Sequence, residues 1–185
     1  MTRSKHFAAL ASGILGFILP TYFAWTVYRD GIPQNLATWS MVLLLDFLGL
    51  VLVYRDGNRR PFLQLGWCVA AICILLAVLI GDSPWQWGMV ETVSVTICLV
   101  AVWLWLTRSA HTALFAYLFA FFVSGMPLAI DFWHVPQPST LWLWLSTVGT
   151  CGLALYGAEK RDMAHLGLPW VAIVLNSILA ILCMR

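Results

Sequence analysis

Residues 32–50, IPQNLATWSMVLLLDFLGL, decide the fold, because the stretch occurs twice in the chain. Pro33-Gln34 is followed by Trp39, by a lone Asp46 in an apolar run, and by Gly49-Leu50; Pro136-Gln137, Trp142 and Gly152-Leu153 repeat the pattern 103 residues later. The register continues to residue 80 with twelve identities, setting Trp67 against Trp170 and Leu76-Ala77 against Leu179-Ala180. Apolar segments match each other cheaply, so the signal rests on Pro-Gln, Gly-Leu and the tryptophan pairs. A duplicated bundle of membrane helices is the expectation.

Working outward, the rest of the chain suits that reading. Of 185 residues, 62% are apolar and 10% charged, and mean hydropathy is +0.87. Such a composition belongs to an integral membrane protein rather than a soluble domain. A span needs about 20 apolar residues to cross roughly 30 Å of hydrocarbon. Seven fit, at 7–28, 35–54, 61–80, 84–106, 111–132, 138–157 and 167–184, with a tight turn at Gly81-Asp82-Ser83. The first apolar run is too long for a signal peptide and leads directly into the repeat. Ala8, Ser12 and Gly16 give it a small-residue face for close helix approach. The five cysteines lie inside apolar segments without a Cys-x-x-Cys, which argues against metal chelation and thiol chemistry. A net charge of +2 without clustering points to no nucleic acid.

Charge sets the expected orientation. With seven spans, Arg3, Lys5, Arg55, Arg59, Arg60, Arg108, Lys160 and Arg161 collect on one side, and Arg29 and Arg185 on the other. Basic residues accumulate in cytoplasmic loops, so the N-terminus is expected in the cytoplasm of a cell (inner) membrane protein and the C-terminus outside. A three-helix unit repeated in the same orientation needs one extra crossing. The expected organisation is therefore a first triple-helix bundle over 1–81, a linker helix over 82–108, and a second bundle over 109–185, related as parallel repeats.

This 3+1+3 pattern, with Pro-Gln near the first and fifth helices, resembles the SWEET, SemiSWEET and PQ-loop superfamily, which includes PnuC-type vitamin transporters. The stretch YFAWTVYRDGIPQNLATW, residues 22–39, is also similar to small bacterial seven-helix membrane proteins. In PQ-loop transporters the Pro-Gln is a hinge within a helix; here Pro33 and Pro136 fall in outer loops, and Pro20 and Pro127 take the mid-helix place. The resemblance implies transport of a small polar solute. It also implies a site with an asparagine on the third helix of a repeat and aromatic walls; Asn176 falls on the comparable helix, where Cys73 breaks the pair.

Asp46 is the sharpest single residue. It sits eleven residues into its helix, about 17 Å deep at 1.5 Å per residue. A charge there costs on the order of 2.5–3.5 kcal/mol and so faces a bundle interior or cavity. No Lys or Arg lies within a span, so the group is either protonated and held by a backbone carbonyl or meets a cation in transit. Trp39, seven residues earlier, shares its face. The matching face of the second repeat reads Trp142, Ser146 and Gly149, with Gly149 opposite Asp46 and Asn176 opposite Cys73. Trp39, Asp46, Trp142, Ser146 and Asn176 are thus the candidate solute-binding residues. The competing readings are an interfacial aromatic belt for the tryptophans and an interhelical hydrogen bond for Asn176. Asp46 and Glu91 are the candidate proton- or cation-coupling residues, and Pro20 and Pro127 the candidate hinges. Asp131, close to a helix end, reads as solvated. The histidines lie at ends or in loops, which disfavours haem, and the lysines lie outside the spans, which excludes a retinal Schiff base.

The leading functional expectation is a non-enzymatic carrier of a small polar solute of the sugar, vitamin or metabolite kind. It works by alternating access around a midplane site, with no cofactor and no metal. One alternative is a non-catalytic binding or assembly subunit, such as a receptor of KDEL-receptor-like architecture. Another is a membrane-embedded enzyme using Asp46 and Glu91 as an acid–base pair. The expected partners are the solute and the lipid bilayer; assembly as a homo-oligomer stays open.

Overall fold

The computed structural model describes residues 3–32, 34–81 and 83–185. Pro33 of the first Pro-Gln and Asp82 of the expected turn lie outside the described residues. The described residues form eight α-helices: α1 (Arg3–Asp30), α2 (Leu36–Arg55), α3 (Phe62–Ile80), α4 (Met89–Thr107), α5 (Ala110–Ser124), α6 (Met126–His134), α7 (Leu141–Gly157) and α8 (Met163–Cys183). A 3-10 turn, Pro138–Thr140, leads into α7, and no strand occurs among the described residues.

Helix ends follow local chemistry. Asn35, Ser109 and Asp162 accept from the main-chain N–H of Ala37, Thr112 and His165, capping α2, α5 and α8. Chain reversal after α1 uses Gly31 at φ 61°, and after α2 Gly57 at φ 110°, a region that disfavours side chains. The expected fifth span is broken in two. Pro127, second residue of α6, has no N–H for the preceding turn, and the main-chain N–H of Gly125 bonds back to the carbonyls of Phe122 and Val123. Pro20, by contrast, sits inside a continuous α1.

Among the described residues, six segments are long and apolar enough to cross a membrane, counting α5 and α6 together. The expected span outside these six is the sixth, over 138–157, which forms the shorter α7 of 17 residues. Large apolar side chains such as Leu44, Phe47, Leu99 and Ile181 cover the outside, which suits lipid and not water. The protein is an all-helical membrane protein.

α3 packs between α1 and α2, and α8 packs between α7 and α5–α6; the two groups meet where α1 touches α7 and α2 touches α5, and α4 lies on α5 with a lighter contact to α2. Glycine permits the closest approaches. A Cβ at Gly13 would stand 2.7 Å from the Phe62 carbonyl oxygen, and one at Gly157 2.6 Å from the Ala9 nitrogen. Ala8, Ser12 and Gly16 form the buried stripe of α1 expected of them.

The bundle has two distinct ends. One holds the N-terminus and the α2–α3 and α7–α8 connections, tied together by Arg60–Glu159 (3.1 Å), Asp56–His111 (3.0 Å) and a hydrogen bond from Asn58 Nδ2 to the Ala164 carbonyl (3.2 Å). Nearly all the basic residues stand at this end. At the other end Asn35 Nδ2 donates to the Gln86 carbonyl, and the Arg185 guanidinium lies 3.7 Å from the centre of the Trp133 ring.

Candidate functional site: a cavity floored by Asp46

A cavity of about 190 Å³ lies between the two helix groups. Its mouth, at the end away from the basic loops, carries Gln34, Asn35, Asp131 and Gln137. Its walls are aromatic, with Trp39 from α2, Trp144 from α7 and Phe132 from α6, and Asn176, Thr147 and Ser124 supply hydroxyl and amide groups between them. Asp46 lies deepest along α2. Its side chain is 4% exposed, and Oδ1 has no hydrogen-bond partner among the described residues.

Below Asp46 the cavity is closed by side chains from both groups. Trp67 of α3 stacks on Phe121 of α5, with ring centres 6.0 Å apart and planes 2° from parallel. Gln64 Nε2 donates to the Tyr117 hydroxyl (3.0 Å) and to the main-chain carbonyl of Asp46 (3.2 Å). Gly49 makes this junction fit: a Cβ there would collide with the Tyr117 hydroxyl and come within 2.7 Å of Gln64 Nε2. This barrier of aromatic and amide groups is continuous with the apolar core of Leu48, Leu52, Leu63 and Leu114.

Of the candidate binding residues, Trp39, Asp46 and Asn176 line this cavity together. Trp39 is fixed by a hydrogen bond from its indole N–H to Gln34 Oε1 (3.0 Å), and Asn176 Nδ2 donates to the Ala172 carbonyl (2.7 Å) within its own helix. Trp142 and Ser146 are not among the lining residues. Trp142 packs on Tyr22, with ring centres 5.3 Å apart, and the Ser146 hydroxyl donates to the Leu143 carbonyl. In their place α7 turns Trp144 and Thr147 inward.

The reason is helical register. The inward residues of α2 (Thr38, Trp39, Val42) correspond to Leu143, Trp144 and Thr147 of α7, and Ala70, Ala71 and Ile74 of α3 to Leu175, Asn176 and Leu179 of α8. Both sets are displaced two residues from the identities at 103. Two residues rotate a helix by about 200°, so the identity-based pairing selects nearly the opposite face. Gly149, expected opposite Asp46, is exposed with open space around it; the inward register puts buried Cys151 there and pairs Asn176 with Ala71, not Cys73.

Glu91 does not reach the cavity. Its oxygens receive hydrogen bonds from the Gly88 main-chain N–H (2.9 Å) and the Thr38 hydroxyl (3.1 Å), tying the start of α4 to α2. An acid–base pair of Glu91 with Asp46 lacks a shared cleft. Pro20 lines the cavity from α1 and Gly125 lines it from the α5–α6 break, whereas Pro127 stands two residues beyond. Asp131 is exposed at the mouth. Gln64, Tyr117 and Trp144 were not singled out from the sequence. A lone glutamine in the apolar run FLQLGW was a readable signal for the first; nothing local marked Tyr117.

Compared with family models, with curated proteins and with solved structures, the chain matches none of them.

Proposed function

We propose that the protein is a carrier of a small polar solute, built as two like-oriented triplets of helices joined by α4. The contact order supports this: in each triplet the third helix packs between the first two, and the triplets meet through equivalent pairs, α1 with α7 and α5 with α2. The observation that carries the function is the cavity between the triplets, open at one end and closed by packed side chains just past an unpaired buried carboxyl. A cavity of about 150 Å³ takes a benzene-sized ligand, so about 190 Å³ suits a small solute. Aromatic walls pack against its apolar faces, Asn176 and Thr147 meet its hydroxyl or amide groups, and Asp46 takes a proton or a cationic group.

In this reading the excess of basic residues on the N-terminal end places that end in the cytoplasm, and the cavity opens outward. Alternating access moves one triplet against the other, with Pro20 and the Gly125–Pro127 break absorbing the bend. The SWEET and PQ-loop resemblance belongs to the same proposal. Its test is thermal-shift screening of the purified protein against sugars, nucleosides, amino acids and vitamin precursors, followed by uptake of each hit in proteoliposomes. A hit taken up by wild type and not by Asp46→Asn supports the carrier. Hits that bind without crossing the membrane would favour the binding-protein alternative.

A further inference from the structure

Most polar groups lining the cavity have spent their donors and keep acceptors. Thr38, Ser124 and Thr147 each give their only hydroxyl proton to the protein, to Glu91 Oε1 (3.1 Å) and to the carbonyls of Phe121 (2.7 Å) and Leu143 (2.8 Å). What each oxygen retains is lone pairs. The indole N–H groups of Trp39 and Trp144 are likewise held, by Gln34 Oε1 (3.0 Å) and the Thr140 hydroxyl (3.1 Å), so these two walls offer a ring and no donor. Asn176 gives one N–H to Ala172 and keeps its amide oxygen and a second N–H. At the floor, Asp46 is 4% exposed, and its Oδ1 meets no partner among the described residues. The side-chain amides of Gln34 and Gln137, which can still donate, belong to the mouth. Charge carries the same bias. Among the described lining residues the charged side chains are Asp46 and Asp131, with no Lys, Arg or His beside them. Arginines of that end are engaged elsewhere, Arg29 with Asp30 (2.7 Å) and Arg185 over the Trp133 ring (3.7 Å). Five aromatic rings also line the cavity, those of Trp39, Trp67, Phe121, Phe132 and Trp144, and the face of such a ring attracts a cation.

We propose that the solute is a protonated amine on a compact apolar body without a carboxylate, its ammonium group seated on Asp46. An ammonium has N–H donors and no acceptor, the complement of this lining. One N–H fills the empty position at Asp46 Oδ1, and the lone pairs of the lining hydroxyls are the remaining acceptors. Solute and carboxylate neutralise each other at a depth where either charge alone is costly. The apolar body packs on the rings. Asp131 at the mouth attracts cations and repels anions. A carboxylate on the solute would find no positive side chain among the described lining residues, and a sugar would bury acceptor oxygens that meet few donors. This assignment deepens the carrier reading and rests on it for passage across the membrane; binding does not depend on it.

The test is isothermal titration calorimetry of the full chain in detergent micelles, with empty micelles as the blank and three probes of one shape: benzylamine, benzyl alcohol and benzoate. At about pH 7 the amine is protonated and the benzoate ionised. Benzylamine is expected to bind at least about tenfold more tightly than benzyl alcohol, and benzoate not to bind. Asp46→Asn should bring benzylamine down to the level of the alcohol. Equal binding of amine and alcohol, binding of benzoate, no binding of benzylamine, or a preference that survives in folded Asp46→Asn overturns the proposal. The wild-type series alone decides it if the variant does not fold. Proteoliposome uptake is a separate result. Benzylamine that binds and is not carried ends the carrier reading and leaves the amine site standing, whereas a protein that takes up a sugar and ignores benzylamine keeps the carrier and loses the amine site.

Discussion

Replacing Asp46 by leucine separates a functional carboxyl from a structural one. Asp46 is buried, and its Oδ1 meets no donor among the described residues, while the cavity beside it leaves room for the larger side chain. An unpaired buried polar atom costs about 1–3 kcal/mol, and leucine removes that cost while adding apolar contact with Trp67 and Phe121. For a chain of this length each kcal/mol moves the midpoint of thermal unfolding by about 2–4 °C, so Asp46→Leu should melt on the order of 5 °C above wild type. Uptake should fall to the level of empty vesicles, because the leucine fills the floor of the cavity and nothing remains to meet a proton or a cation. Asp46→Asn, which keeps the shape and an acceptor oxygen, should melt close to wild type, and any uptake it retains should no longer vary with pH. Differential scanning fluorimetry and proteoliposome uptake on the same preparations read both quantities. A leucine variant that melts below wild type would show that the carboxyl holds the helices together, and the reasoning from its unpaired oxygen would fail.

Three other outcomes follow from the geometry. Gly49→Ala drives a methyl group into the Gln64–Tyr117 junction and should lower stability by about 1–3 kcal/mol, read as a drop in melting temperature, with solute leak through the loosened barrier. Trp39→Ala should weaken solute binding by about tenfold, in line with the loss of one aromatic contact, while Trp142→Ala, on the outer side of α7, should leave binding within about twofold; ligand-dependent melting shifts measure both. Burial pushes the Asp162 carboxyl up, but the hydrogen bond and charge of His165 outweigh it and hold the group below the usual carboxylate range. A group so depressed stabilises the fold above its ordinary value and loses that contribution as pH falls through its folded value. Asp162→Asn should therefore melt lower than wild type at neutral pH, and the gap should close below about pH 4.

The helices and the depth of Asp46 were legible because both follow from hydrocarbon thickness: twenty apolar residues must cross it, and a carboxyl halfway along must turn inward. The break at Gly125 was half legible, since Pro127 predicts a bend, but its position depends on Leu175 coming within 2.6 Å of where a Cβ at Gly125 would stand. The inner face of α7 was not legible, and the reason lies in which residues the repeat leaves identical. Trp142 and Trp170 match Trp39 and Trp67 in sequence, yet Trp170 is 56% exposed while Trp67 is 7% exposed in the barrier. Tryptophan suits both a lipid-facing belt and a packed core, so its identity carries no information about side. Burial does carry it. Leu63, Gln64, Trp67, Ala70, Ala71, Ile74 and Val78 of α3 are buried, and so are Leu168, Pro169, Ala172, Leu175, Asn176, Leu179 and Cys183 of α8, position for position. Only Leu63 and Leu168 are the same residue in that pairing. What the two halves share is therefore the direction of their faces, and their chemistry differs where those faces meet: Asp46 against Cys151, Gln64 against Pro169, Ala71 against Asn176. Unlike inner surfaces on the two halves thus give the two ends of the bundle different chemistry, a carboxyl beneath the open cavity and an imidazole, His165, at the basic end.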